Sequence, residues 1–347
     1  MTAMSPTISA ETGGALPICL YCAGRSYTPL FENVHDRLGY VQGVWAFWRC
    51  RGCGSAVLSP FPKSSELASF YPPVYSFRLD LGRESAWRRF LARLEYRLYF
   101  GPQYEAQARR VLRGVGWRDG QGRRLLDVGC GRGLRLLTFR RRGFDVQGMD
   151  LQPEVVEYLR RDLGIPAVCA DVHELSSCFP PESFDLITAF FVLEHVPSVQ
   201  AVLENCIRLL KPGGWFVGAV PFVDSVQAGL FKDRWINVTE APRHLSLPTR
   251  AGMKRVCQRA GFDRIMLHPD STLNCAGQVG ISLFPGGTIT HFYGGGRLGA
   301  FVQRVLAGSL TALAIPFCAV ENHVLRRPSL GMVFAHKPDT PERDAGP

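Results

Sequence analysis

From about residue 123 to residue 337, short apolar runs alternate with amphipathic segments, and this alternation constrains the fold more than any other feature. The predicted strands are RLLDVGC, FDVQGMD, PAVCAD, FDLITAFFVLEHV, WFVGAVP, DRIMLHP and LGMVFAHKP. The segments between them repeat apolar residues at helical spacing, as in VQAVLENCIRLLKPGG, where one face carries Val199, Val202, Leu203, Cys206 and Leu210. Strands that alternate with helices form a parallel sheet covered on both faces, so we predict an α/β domain.

The first strand runs into LLDVGCGRG, where glycine occupies every second position, at Gly129, Gly131 and Gly133. A dinucleotide fingerprint would need its third glycine at position 134, which is Leu134. Asp127, just before the turn, adds negative charge that disfavours a pyrophosphate and favours a cationic ligand. S-adenosylmethionine (SAM) carries a sulfonium and an ammonium group and meets this requirement.

Three further acidic residues follow later strands. Asp150 ends the second strand, where its carboxylate can accept from ribose hydroxyls, and Asp171 ends the third, placed to accept from an adenine amino group. Glu194 follows the fourth strand. Ligands of open parallel sheets bind outside the carboxyl ends of the strands, where these residues would gather. The predicted cofactor-binding residues are Asp127, Gly129, Gly131, Gly133, Asp150, Asp171, Val172 and Glu194.

Five segments resemble, in order, the motifs of class I SAM-dependent methyltransferases. They are LLDVGCGRG, GMD, ADVHEL, FDLITAFFVLEHV and RLLKPGGWFV. The resemblance covers roughly residues 112–337. It implies a Rossmann-like sheet of seven strands whose last strand is antiparallel, with DRIMLHP and LGMVFAHKP as the final two strands. It also implies that SAM is the cofactor.

Two cysteine pairs precede this region, Cys19 with Cys22 and Cys50 with Cys53, separated by 27 residues. This spacing suits two knuckles that hold one tetrahedral Zn²⁺ through four thiolates, whereas a redox pair would occur once, beside a βαβ unit. We predict a zinc-ribbon-like unit stabilised mainly by its metal, with a core separate from that of the SAM domain. The combination resembles a bacterial group of methyltransferases in which such a unit precedes the SAM domain and many members act on sugars, glycans or natural products.

Two histidines are candidates for the base that a hydroxyl acceptor requires. His195 follows the fourth strand, and His244 lies in APRHLSLPT, before the helix that leads to the sixth strand. In similar enzymes both loops face the methyl group. Simpler roles stay open: His195 as a cap of its loop, His244 as a brace for the lid and Glu194 as a group that only orients SAM. Arg243 is either a substrate anchor or an ordinary surface arginine.

The formal net charge of +10 suits an anionic partner, although the basic residues are spread out as on a solvated surface. A basic amphipathic helix is expected at 87–99, and an apolar run at 300–320 contains Arg304 and Pro316. The internal arginine argues against a membrane span, so we expect peripheral membrane contact through 300–320 or burial as a lid. The N-terminus lacks a secretory signal pattern, and isolated cysteines are typical of a reducing compartment, which indicates a cytoplasmic protein.

The predicted organisation has five parts: a disordered leader (1–18), the zinc unit (19–62), a helical linker or lid (63–112), the SAM domain (113–338, with an apolar helical insertion at about 275–325) and a disordered tail (339–347). The expected function is methyl transfer to a glycan, sugar or lipid-linked small molecule, most readily at oxygen.

Two alternatives remain. One is an rRNA methyltransferase, disfavoured because the zinc segment has few basic residues, so nucleic acid is the less favoured partner. The other is a zinc-ribbon binding protein with a degenerate SAM domain, disfavoured by the intact Asp127, Gly129, Gly131 and Asp150.

Overall fold

The computed structural model describes residues 16–37, 39–71, 101–283 and 297–339. The amphipathic helix expected at 87–99 lies outside the described residues, as do most of the expected leader and tail. The strands are β1 (Tyr27–Val34), β2 (Trp45–Cys50), β3 (Ala56–Ser59), β4 (Arg124–Val128), β5 (Asp145–Asp150), β6 (Ala167–Cys169), β7 (Phe184–Phe190), β8 (Leu210–Pro221), β9 (Ser246–Leu247), β10 (Arg264–Pro269) and β11 (Leu330–His336).

The helices are α1 (Ser64–Leu67), α2 (Gly101–Val115), α3 (Leu134–Arg141), α4 (Pro153–Asp162), α5 (Leu175–Cys178), α6 (Val199–Leu209), α7 (Val226–Phe231), α8 (Arg250–Arg259), α9 (Thr272–Leu283) and α10 (Arg297–Ala319). Pro153 occupies the first turn of α4, and the hydroxyl of Ser198 caps α6 by accepting from the N–H of Ala201. These local signals place both helices where the sequence predicts them.

Seven strands form the large sheet in the order β6–β5–β4–β7–β8–β11–β10. The strands β4 to β8 pair in parallel, and β11 is antiparallel to both of its neighbours, β8 and β10. This arrangement confirms the predicted Rossmann-like class I sheet with its antiparallel last strand. The order reverses between β4 and β7, which opens a crevice at the carboxyl ends of the strands.

Apolar residues cover both faces of this sheet. On one face α6 buries Val199, Val202, Leu203 and Cys206, as predicted. The prediction is wrong for Leu210 and the LKPGG segment, because the helix ends at Leu209 and Leu210 begins β8. On the other face α2, α3 and α4 pack their own apolar residues against the sheet. Burial on both faces accounts for the continuous apolar runs of the central strands.

The small sheet has the order β1–β2–β3–β9, and its edge strand β9 comes from the middle of the chain. Leu247 of β9 pairs with Ala56, while Phe47 and Leu58 share a core with Trp235 and neighbouring residues. The prediction that the cysteine unit has a core of its own is therefore wrong. A unit this small cannot bury its apolar side chains alone, and the segment before α8 covers them.

The predicted apolar insertion lies between β10 and β11, where α9 and α10 pack together through Cys275, Ala276, Ala314 and Cys318. Pro316 lies within α10, which continues as a π-helix over Val320–Val324. Among the described residues, no helix is both long and apolar enough to cross a membrane.

The other side of the insertion is exposed. A stripe at helical spacing presents Leu306, Leu313, Val320 and Val324, of which Leu313 and Val324 are 76% and 70% exposed.

Candidate active site

The glycine turn joins β4 to α3, and all three of its glycines adopt left-handed backbone angles. Gly129, Gly131 and Gly133 have φ values of 65°, 50° and 68°, which other residues rarely adopt. A Cβ atom on Gly129 would lie 2.7 Å from a methyl of Val192, whereas one on Gly131 would meet nothing within 4 Å. The turn is therefore packed against the protein at Gly129 and has open space at Gly131, where a ligand could approach the backbone.

Asp150, the last residue of β5, holds this turn in place through a hydrogen bond. One carboxylate oxygen accepts from the N–H of Gly131 at 2.9 Å, and the other accepts from the N–H of Gln152 at 3.0 Å. Burial raises the pKa of Asp150, and the two backbone hydrogen bonds oppose this. Each oxygen has two lone pairs, so the carboxylate can still accept from hydroxyls of a bound ligand.

Asp127 lies inside the crevice and is 1% exposed. Its Oδ1 accepts from the Thr188 hydroxyl at 2.6 Å, while its buried Oδ2 has no partner among the described residues. Burial raises the pKa of Asp127 to about 6, and the positive charge of Arg135 opposes that rise. A buried carboxylate oxygen without a partner fits a cationic ligand.

Asp171 and Val172 lie beyond β6, at the same edge of the sheet. Asp171 is exposed and caps a short 3-10 turn, because its Oδ1 accepts from the N–H of His173 at 2.8 Å. On the opposite side, directly after β7, Phe191 has a φ of 60°. Such strain in a residue other than glycine is common at ligand sites, and no signal in the sequence marked Phe191.

The structure brings Glu194, His195 and His244 together, although the last comes from a distant loop. The two imidazole centroids are 4.7 Å apart, and side-chain oxygen or nitrogen atoms of all three residues lie within 4.8 Å of one another. Nδ1 of His195 lies 3.1 Å from the carbonyl oxygen of Arg243, and Nδ1 of His244 lies 2.6 Å from that of Asn237.

A carbonyl oxygen can only accept a hydrogen bond, so Nδ1 of His244 carries the proton and its Nε2 keeps a lone pair. Nδ1 of His195 contacts both a carbonyl and the Tyr71 hydroxyl, which can donate or accept. Burial lowers the pKa of His195 to about 3 and that of His244 to about 4, and it raises the pKa of Glu194 to about 8. Both imidazoles are therefore neutral at pH 7.

Arg243 is neither a substrate anchor nor a surface arginine, so both sequence-based interpretations are wrong. Its guanidinium is buried and donates to both carboxylate oxygens of Asp36, at 2.6 Å and 3.0 Å, and to Glu240 at 3.2 Å. The pair joins the N-terminal unit to the loop that carries His244. Tyr71 also bridges the two regions, since its hydroxyl lies 3.0 Å from Nδ1 of His195.

The four predicted metal ligands meet at one point. The sulfur atoms of Cys19 and Cys53 are 3.6 Å apart and those of Cys22 and Cys50 are 3.5 Å apart. A disulfide would need about 2.05 Å, whereas the edge of a tetrahedral Zn–S₄ site is about 3.8 Å. A Cβ atom on Gly24 would lie 3.1 Å from the sulfur of Cys50, so the tight space beside the cluster favours glycine. The donor set fits zinc.

The strand order, the antiparallel last strand and the cradle at the switch point together define the class I SAM-dependent methyltransferase fold. Residues 99–266 match the family model described as "Methyltransferase domain".

Among curated proteins, a ubiquinone biosynthesis O-methyltransferase of Paracidovorax citrulli is 39% identical over 126 residues, which are 33% of this chain and 51% of that protein. One from Photorhabdus laumondii is 37% identical over 97 residues, 27% of this chain and 40% of that protein. The chain thus spans about half, or less, of the length of these relatives.

Two solved structures are among those to which the chain is similar. A SAM-dependent methyltransferase from Archaeoglobus fulgidus is 19% identical with a TM-score of 0.44, covering 73% of this chain and all of that one. A phosphoethanolamine N-methyltransferase 2 from Haemonchus contortus, solved with SAM, is also 19% identical, with a TM-score of 0.47, covering 74% of this chain and 61% of that one.

Proposed function

We propose that this protein transfers the methyl group of SAM to a hydroxyl oxygen of a glycan, sugar or lipid-linked small molecule. The observation that carries the proposal is the pair of neutral imidazoles at the carboxyl edge of the sheet. Methyl transfer from a sulfonium is an in-line displacement, so the protein mainly holds the two reactants together. A hydroxyl acceptor additionally needs a base, and a neutral imidazole nitrogen can take its proton.

His244 is the stronger candidate for this base. Its Nδ1–H is held at 2.6 Å by the Asn237 carbonyl, which orients the ring and directs the Nε2 lone pair to the opposite side. His195 is held by two partners, the Arg243 carbonyl and the Tyr71 hydroxyl, which suits a residue that positions the other ring. The two relatives described above are named O-methyltransferases, which also supports oxygen as the acceptor atom.

The exposed apolar stripe along α10 and the π-helix that continues it supports an acceptor that lies at a membrane surface. Apolar residues at positions 306, 313, 320 and 324 share one face, and the exposed Arg326 and Arg327 follow them. A surface of this kind can bury apolar side chains at the boundary of the acyl chains while the arginines meet anionic headgroups. A lipid-linked acceptor would then be held next to the crevice.

Structural zinc is the second part of the proposal, with Cys19, Cys22, Cys50 and Cys53 as ligands. Purified protein made without chelators should contain one zinc per chain by elemental analysis. The absence of zinc from such protein would refute the site, and a content near one would support it.

The activity is tested with SAM labelled in its methyl group. The protein is incubated with lipid, water-soluble and RNA fractions as separate acceptors. Label should enter the lipid or sugar fraction as a methyl ether, which survives alkaline hydrolysis, whereas a methyl ester would release methanol. Label in RNA, or alkali-labile label alone, would contradict the proposal.

The base is tested by His244→Asn, which should lower kcat by roughly 10²- to 10⁴-fold, the usual contribution of general base catalysis. The dissociation constant of SAM should not change, because the ring does not belong to the glycine cradle. The conservative control His268→Asn alters a histidine on β10, outside this cluster. An unchanged kcat in His244→Asn would exclude it as the base.

A further inference from the structure

A pocket of about 300 Å³ lies beside the glycine cradle, between α2, α9 and the first turn of α3. Gln103, Tyr104, Arg135 and Phe191 line its inner side. Arg135 lies two residues after the cradle glycine Gly133, and Phe191 directly follows β7. The pocket therefore borders the crevice in which SAM is proposed to bind.

Two guanidinium groups face this pocket, and they differ in their partners. Arg110 pairs with Asp270 at 3.7 Å. Arg135 forms no ion pair with any described residue, since the single hydrogen bond of its side chain runs from Nε to the neutral amide oxygen of Gln107 at 2.9 Å. The Nε2 atom of Gln103 is also buried and has no partner among the described residues.

The Arg135 guanidinium is held in place before any ligand arrives. Its central carbon lies 4.6 Å from the ring centroid of Phe190 and 5.4 Å from that of Tyr104. Contacts with two aromatic rings and a hydrogen bond at Nε fix the plane of the group and leave its terminal N–H groups for a ligand. A fixed guanidinium fork with free N–H groups matches the geometry of a carboxylate.

We propose that Arg135 and Gln103 bind the carboxylate of the methionine moiety of SAM, an inference that rests on the proposed function. SAM is a zwitterion at this end, and the crevice offers a matching pair of charges. Among the described residues, Asp127 Oδ2 has no partner and suits the ammonium, while Gln103 Nε2 has no partner and suits the carboxylate. The terminal N–H groups of Arg135 make no hydrogen bond to a described residue and suit the carboxylate as well. The adenosine end then extends in the other direction, toward Asp150.

Two ligands that differ only in this carboxylate, SAM and decarboxylated SAM, test the proposal by calorimetry. The unaltered protein should bind SAM roughly 10- to 100-fold more tightly than the decarboxylated ligand, as expected for hydrogen bonds to a charged group. In Arg135→Gln this preference should fall to within about threefold, because only SAM loses a contact. Arg135→Lys should keep an intermediate preference, since it retains the charge but lacks the fork.

Arg141→Gln is the matched control, because Arg141 lies on the same helix but pairs with Glu105 at the surface. It should keep the full preference for SAM. Should Arg135→Gln fail to fold, Gln103→Leu replaces it and should reduce the preference by a smaller factor.

If Arg135→Gln weakened the affinity for both ligands equally, or for neither, the carboxylate assignment would be overturned while SAM would remain the donor. Failure of the unaltered protein to bind SAM at all would overturn the proposed function together with this inference.

Discussion

Residues that face the proposed donor come from consecutive strand and turn units of one sheet, whereas residues that face the proposed acceptor come from distant segments. On the donor side, Asp127 to Asp171 follow one another within three βα units. On the acceptor side, Tyr71 meets His195, which is 124 residues away, and Asp36 meets Arg243, which is 207 residues away.

The two sides also differ in how they are stabilised. Local hydrogen bonds such as that from Gly131 to Asp150 shape the donor side, whereas long-range pairing of β3 with β9 shapes the acceptor side. The cysteine cluster belongs to the second kind, because Cys19 and Cys53 share a core with Val256 of α8. Loss of the N-terminal unit should therefore affect the acceptor side first.

The largest expected effect follows from removing the metal. Cys50→Ser should abolish zinc binding and lower the melting temperature of the whole chain, because the unit shares its core with α8 and β9. Apparent zinc binding free energies of small structural sites are about 10–16 kcal/mol, so the loss should be severe. Cys169→Ser, at an exposed cysteine far from the cluster, is the control. A SAM domain that melts at an unchanged temperature in Cys50→Ser would show that the two parts are independent.

A smaller effect is expected from the buried ion pair between the two regions. Asp36→Asn removes the charge that faces both terminal nitrogens of the buried Arg243 guanidinium, which should cost about 3 kcal/mol in the free energy of unfolding. Urea unfolding measures this loss. Asp162→Asn removes an exposed partner of Arg161 and should leave the free energy of unfolding nearly unchanged. Similar values for the two variants would contradict a bridging role of the buried pair.

On the donor side, Asp150→Ala should weaken SAM binding by about 1.5–3 kcal/mol, the usual contribution of hydrogen bonds to a charged group. The variant also loses the acceptor of the Gly131 N–H, which helps to shape the cradle. Calorimetry gives the affinity, and the stability of the zinc unit should not change. Undiminished SAM affinity would remove Asp150 from the cofactor site.

The smallest effect is a dependence of SAM affinity on pH. Because the pKa of Asp127 is raised to about 6, its carboxyl is ionised at pH 7 and gains a proton as the pH falls. A cation binds the ionised form, so affinity should fall by up to about tenfold per unit below pH 6, or 1.4 kcal/mol. Titrations between pH 5 and 7 measure it, and Asp127→Asn should abolish the slope. A slope that persists in this variant would assign the titration to another group.

Sequence patterns predicted the large sheet and the glycine cradle, because both depend on residues close together in the chain. The alternation of apolar strands with amphipathic helices predicts the parallel strands of the sheet. Asp127, the three glycines and Asp150 lie within 24 consecutive residues. The cysteine spacing likewise predicted a cluster that the structure forms, since two short knuckles specify its geometry.

Only the tertiary structure decided the composition of the acceptor side and the status of each arginine. Arg135, Arg110 and Arg243 are equivalent as letters in a sequence rich in arginine, but one has no ion pair among the described residues, one pairs with Asp270 and one is buried against Asp36. Likewise, no local pattern connects Tyr71 with His195, or β3 with β9. The physical reason is that burial and charge pairing depend on which segments distant in the sequence come into contact. Local periodicity does not predict those contacts.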